Sequence, residues 1–84
     1  RLDILLARNP DAGAVIRGTG GVRRLRVPLP GRGKSGGARV IYYYRGSRER
    51  VYLILMYSKN VQENLSPAEK AQLRRLTAVL ESQP

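Results

Sequence analysis

Between Arg17 and Arg39 the sequence RGTGGVRRLRVPLPGRGKSGGAR places Arg17, Arg23, Arg24, Arg26, Arg32, Lys34 and Arg39, seven of the chain's sixteen Lys and Arg residues, in a stretch with no Asp or Glu. Guanidinium and ammonium groups at this density suit the binding of phosphate, whose oxygens match the guanidinium fork and whose charge they neutralise. The remaining residues hold nine cations against six acids, so most of the net charge of +10 lies in this region. That is the electrostatic footprint of a nucleic-acid partner. The sequence contains no His and no Cys, which removes the commonest proton shuttle, the thiolate nucleophile, the usual soft metal ligands and any disulfide framework. No metal or cofactor is expected, and the lack of cysteine fits a cytoplasmic protein.

The elements that must carry these cations follow from local pattern. Arg23 to Val27 alternates, with Arg23, Leu25 and Val27 on one face and Arg24 and Arg26 on the other, as a half-buried strand does. Pro28 and Pro30 end it, since neither donates a ladder hydrogen bond, and the glycine-rich loop 31–37 carries Arg32 and Lys34 outward. The segments 38–45 and 51–57 are rich in β-branched and aromatic residues and flank a turn at Gly46-Ser47, which predicts an antiparallel hairpin. Leu65-Ser66-Pro67-Ala68-Glu69 joins an N-cap serine, a proline at the first helical position and a capping-box glutamate. Leu73, Leu76 and Leu80 then recur at helical spacing, so a C-terminal helix lies across the sheet, with Lys70, Arg74, Arg75 and Glu81 on its wet side. At the other end Leu2, Leu5 and Leu6 share one side of a short helix that Asn9-Pro10 stops near Arg8. The expected fold class is α+β: a three-stranded antiparallel sheet packed by a C-terminal helix, with a short N-terminal helix alongside. Eighty-four residues make a single domain over 1–84 with a thin core. The apolar runs fall far short of the roughly 20 residues of a membrane helix, so no membrane partner is expected.

With the hairpin register set by the turn at 46–49, Arg39 falls close to Met56 and Tyr57, and Lys59 follows just beyond. An antiparallel first strand brings Arg26 opposite the region of Ala38. Arg24, Arg26, Arg39 and Lys59 then converge over a span on the order of 10 Å, since neighbouring strands lie about 4.8 Å apart. Such spacing suits the phosphates of a nucleic-acid strand. A solvated basic face is the alternative reading, because arginines on an exposed strand also discourage edge-to-edge pairing. Tyr42 and Tyr44 alternate against Tyr43, so at least one face of that run serves as core. Tyr57, at a strand end beside Lys59, is the candidate for stacking on a base.

Taken in order, GTGGVRRLRV, GRGKSGGARVIYYY, VYLILMYSKN and ENLSPAEKAQLRRL resemble the segments of the RelE/HigB superfamily of type II toxin-antitoxin toxins, and most of all its HigB-like branch. The resemblance covers nearly the whole chain and implies a RelE-like fold without its N-terminal strand and first helix. A start at Arg1, directly inside a helical pattern, likewise predicts further residues upstream in the natural protein. The resemblance also implies a ribosome-dependent endoribonuclease, an mRNA interferase that inhibits translation, with mRNA, the ribosome and a neutralising helix-turn-helix antitoxin as partners. Matched by position, Arg24 and Arg26 stand for the two basic residues of the family's first basic strand, Arg39 for the arginine opening the next strand, and Lys59 for the basic loop after the last. These four are the candidate catalytic residues, and Arg23, Arg32, Lys34 and Tyr57 are the candidate RNA-binding residues. In RelE-type members a tyrosine near the start of the final helix assists, whereas this chain has Leu65 and Ser66 there.

RNA is cleaved when its own 2′-hydroxyl attacks the adjacent phosphate, so such a protein need only align the chain, stabilise the added charge and manage two protons. Arg26 and Arg39 would clamp the nonbridging oxygens. Lys59, its ammonium disfavoured among like charges, would take part in proton transfer. Two rival expectations are a ParE-like toxin of the same fold that inhibits DNA gyrase, and a noncatalytic basic RNA-binding module.

Overall fold

The computed structural model describes residues 2–28, 37–58 and 64–84. Helix α1 (Leu2–Arg8) leads through a turn to β1 (Ala14–Val15), β2 (Arg23–Pro28), β3 (Gly37–Arg45), a 3-10 turn at Gly46–Arg48, β4 (Arg50–Ser58) and α2 (Pro67–Glu81). The strands form one antiparallel sheet in the order β1-β2-β3-β4. The fold is α+β and contains the three expected strands. The fourth, β1, pairs with Arg23 and Arg24; at two residues it is too short to show alternation.

β3 is the spine, paired on both sides and buried on both faces. Val40 and Tyr42 face α1 and cluster with Leu6, flanked by Leu25, Val27, Tyr44 and Val51. Ile41 and Tyr43 face α2 and cluster with Ile16, Val22 and Leu65, against which Leu73 and Leu80 of α2 pack. Both faces of the tyrosine run are therefore core. The Tyr42 hydroxyl, fully buried, accepts from the Gly13 N–H at 2.8 Å and donates to the Pro10 carbonyl at 2.8 Å. A side chain at Gly13 would obstruct this contact, since its Cβ would lie 2.8 Å from the Arg24 carbonyl oxygen and 2.9 Å from Tyr42 Cε1. On α1, Leu6 is buried while Leu5 is exposed. Consecutive helical residues point about 100° apart, so a helix resting on one sheet face buries one of the two.

A bulge interrupts the β3–β4 ladder. Ile41 pairs with Leu55 and Tyr42 with Leu53, which leaves Ile54 as the extra residue. An inserted residue moves every later side chain to the other face, so Tyr57, and not Met56, stands directly opposite Arg39. β4 is an edge strand, along which Leu53, Leu55 and Met56 are exposed.

The capping box at the start of α2 forms as its sequence predicts: Ser66 Oγ accepts from the Glu69 N–H at 3.1 Å, and Glu69 Oε1 accepts from the Ser66 N–H at 2.8 Å. The far end is held by β3. Arg45, only 5% exposed, donates from Nη1 to the Leu80 carbonyl at 2.9 Å and from Nη2 to the Glu81 carbonyl at 2.7 Å. This puts a cation at the negative end of the helix dipole. Its Nε lies 3.5 Å from Glu81 Oε1, close enough for Coulombic attraction though not a hydrogen bond. The Tyr43 hydroxyl donates to the same carboxylate. Glu81, on the wet side as expected with its side chain 46% exposed, also reaches β3, where a buried cation and a phenol draw it in. Among the described residues no helix is long and apolar enough to cross a membrane.

Burial first, and then the Glu81 hydrogen bond and charge, push the Tyr43 phenol up to about 12. Two stability predictions follow from the tyrosines. Tyr42→Phe deletes both bonds of the hydroxyl and leaves the Gly13 amide without its acceptor, so urea denaturation should show a loss of about 1–3 kcal/mol. A phenol whose pKa is higher in the folded chain than the ordinary 10.0 contributes stability that is fully present below that value and lost as pH rises through about 12. Between those pH values the wild type should therefore lose stability relative to Tyr43→Phe, by an amount on the order of 2 kcal/mol. Parallel pH curves for the two proteins would contradict this.

Candidate functional site

The strand alternation that turns Leu25 and Val27 toward the Tyr42 cluster sends Arg24 and Arg26 to the α2 side. There Arg24 pairs with Ile41 and Arg26 pairs directly with Arg39, which in turn pairs with Tyr57. Direct cross-strand neighbours hold their Cβ atoms about 5 Å apart, and Arg24, one diagonal step from Arg39, lies about 7–8 Å away. Three strands thus contribute one row, Arg26, Arg39 and Tyr57, with Arg24 beside it. The sequence places Arg26 opposite the region of Ala38, and within that region the exact partner matters. Residues directly opposite share a face, so with Arg26 against Ala38 the Arg39 side chain would project from the other side of the sheet.

Like charges placed directly opposite repel, and an anion between Arg26 and Arg39 would relieve that repulsion. Arg26 is exposed, while Arg24, Arg39 and Tyr57 are half-buried. Arg39 Nη1 and the Tyr57 hydroxyl are themselves buried and have no hydrogen-bond partner among the described residues. Buried donors ordinarily find an acceptor, and two such groups at paired register positions can be satisfied by an oxygen supplied from outside. The Tyr57 ring packs against the Ile41 and Tyr43 cluster.

Arg23 is not part of this row. It points to the other side, where its Nη1 donates to the Gly13 carbonyl at 2.7 Å and the Asp11 carbonyl at 3.2 Å, fastening the turn ahead of β1. Arg32, Lys34 and Lys59 lie outside the described residues. Further along the same face of β3, Tyr43 and Arg45 are committed to α2. Among the described residues no group of three or more His, Cys, Asp or Glu is placed to hold a metal ion. Sequence reasoning set Arg39 close to both Met56 and Tyr57 and did not choose between them, because the Ile54 bulge that selects Tyr57 carries no glycine or other local signal.

A family model described as the RelE toxin of the RelE / RelB toxin-antitoxin system matches residues 11–83. The matched span takes in all four strands, α2 and the Arg24, Arg26, Arg39 and Tyr57 positions, and also Lys59. The chain belongs to the RelE toxin family and is a toxin of a toxin-antitoxin system.

Proposed function

We propose that this toxin is a ribosome-dependent mRNA endoribonuclease whose cut is made by the RNA's own 2′-hydroxyl. The observation that carries this reading is the Arg26, Arg39 and Tyr57 row, in which the Arg39 Nη1 and the Tyr57 hydroxyl are buried without a partner among the described residues. In the reaction the 2′-oxygen bonds to phosphorus as the bond from phosphorus to the 5′-oxygen breaks, leaving a 2′,3′-cyclic phosphate and a 5′-hydroxyl. One proton leaves the attacking hydroxyl and one reaches the departing oxygen.

Arg39 and Arg26 take the nonbridging oxygens, whose charge grows in the transition state, so their grip strengthens where it accelerates the step. Tyr57 donates a further hydrogen bond, and Arg24 holds a neighbouring phosphate. Lys59, two residues beyond Tyr57 in sequence, is the proton carrier in this proposal. Arg32 and Lys34 add binding, whereas Arg23 serves the turn it fastens. With no histidine in the chain, acid–base assistance is weak, and alignment of the RNA by the ribosome makes up for it. A helix-turn-helix antitoxin, as in the HigB-like branch, is the proposed neutralising partner.

Arg39→Ala should slow cleavage on mRNA-programmed ribosomes at least about 100-fold, and Tyr57→Phe about 10-fold, with fragment ends mapped by sequencing. Cleavage by Arg39→Ala at the wild-type rate would overturn the reading. Ribosome binding by the wild type with no new mRNA ends would make the protein a noncatalytic binder.

A further inference from the structure

Beside the arginine row, β4 and α2 part to leave a cleft of about 290 Å³, lined by Leu55, Leu65, Glu69, Gln72, Leu73 and Leu76. The last four recur at steps of three and four residues, so they form one stripe along α2. β4 is an edge strand and leaves that stripe open on its far side. Leu65 is buried at the base of the cleft, Leu73 and Leu76 are half-buried, and Leu55 is 47% exposed.

Register ties this cleft to the row. One step along the sheet from Arg26, Arg39 and Tyr57 stands a second row of Arg24, Ile41 and Leu55. Leu55 therefore lies about 7 Å along β4 from Tyr57 on the same face, within the reach of a single nucleotide whose phosphate is held at Arg39. The chemistry of the walls selects what enters. Among the described residues no Lys or Arg lines the cleft, and the Glu69 carboxylate, bound to the Ser66 N–H at 2.8 Å, disfavours a phosphate there. The leucines offer apolar surface. Gln72 is exposed and makes no hydrogen bond to a described residue, so its amide presents a donor and an acceptor together, the combination that pairs with the edge of a base. An unstacked base has both an apolar face and a polar edge. An apolar side chain of a protein partner would use the leucines and leave the amide without a role.

We infer that this cleft receives one base of the RNA, next to the phosphate held by Arg39, and that Gln72 makes the toxin discriminate among bases at that position. The inference rests on the RNA-cleaving reading above. Row and cleft divide the nucleotide between them: the arginines take backbone, which carries no sequence information, and the cleft takes the base. A single strand suits this arrangement, because its bases are free to turn out of the stack.

The test compares the wild type with Gln72→Leu, which removes the amide at an exposed helix position and keeps the bulk of the side chain; thermal melting confirms the fold. The probes are short single-stranded RNAs, free and loaded on ribosomes, with 2′-O-methyl riboses that block the attack and one abasic nucleotide moved along the sequence. The cognate antitoxin is titrated in parallel. At one position the abasic nucleotide should weaken wild-type binding at least about 10-fold. With each of the four bases restored there, wild-type affinities should spread over at least about 5-fold, closing to within about 2-fold in Gln72→Leu. Fragment ends mapped after cleavage of unmodified mRNA should lose the same preference. No position at which base loss weakens binding, an unchanged spread in Gln72→Leu, or an effect confined to the antitoxin would overturn the inference. Because the modified probes cannot be cut, Arg39→Ala cleaving at the wild-type rate would sink the nuclease reading and leave the abasic scan to decide this one.

Discussion

The guanidinium of Arg45 is buried under the end of α2, and much of the molecule's geometry follows from the way it is satisfied. An unpaired buried cation would cost several kcal/mol, so Arg45 can lie there only where acceptors meet it. The final turn of a helix supplies them, because its last carbonyls have no partner within the helix. The Leu80 and Glu81 carbonyls take two of its donors and the Glu81 carboxylate answers its charge. Tyr43, two residues earlier on the same face, donates to that carboxylate. Fixed here at its C-terminus and, at its start, by Leu65 buried in the Ile41 and Tyr43 cluster, α2 has one path across the sheet.

The other end of β3 shows the converse. Arg39 shares a face and a strand with Arg45, six residues away, about 20 Å in an extended chain. Yet its Nη1 meets no acceptor among the described residues, and its neighbours in the sheet are another arginine and a buried phenol. Identical side chains on one strand therefore divide by what backbone lies within reach. Arg45 is spent on architecture, whereas Arg39 Nη1 is buried without an acceptor among the described residues. Arg23 falls with the first group, because the carbonyls of Asp11 and Gly13 are at hand. Density of positive charge along a sequence marks a region, while the carbonyls that fold against it decide which charges stay free.

Much of this was legible from residue order. The capping box at Ser66, the end of α1 before Asn9-Pro10, the hairpin at Gly46 and the two-sided tyrosine run all depend on interactions within a few residues, so local pattern carries them. The side of β2 on which Arg24 and Arg26 lie was equally plain from alternation. Glu81 is exposed as expected, but its bonds to Tyr43 and Arg45 were not legible because those partners are distant in sequence. Leu5, expected on the same side of the helix as Leu6, is exposed, because a row of leucines does not say how wide a strip of so short a helix meets the sheet.

Composition, alternation and caps are properties of neighbours along the chain, and they suffice for the element types, the inward and outward faces of each strand and the store of cations. Which residue stands across from which is set by the connection between strands and by any residue inserted into the ladder. The segment from 29 to 36 leaves the β2–β3 register open by one residue, and nothing around Ile54 announces a bulge. Because side chains alternate with a period of two, a slip of one would place Arg26 and Arg39 on opposite faces, and a β4 without the bulge would set Met56, not Tyr57, against Arg39. The row that makes a phosphate grip credible therefore exists only in the assembled sheet.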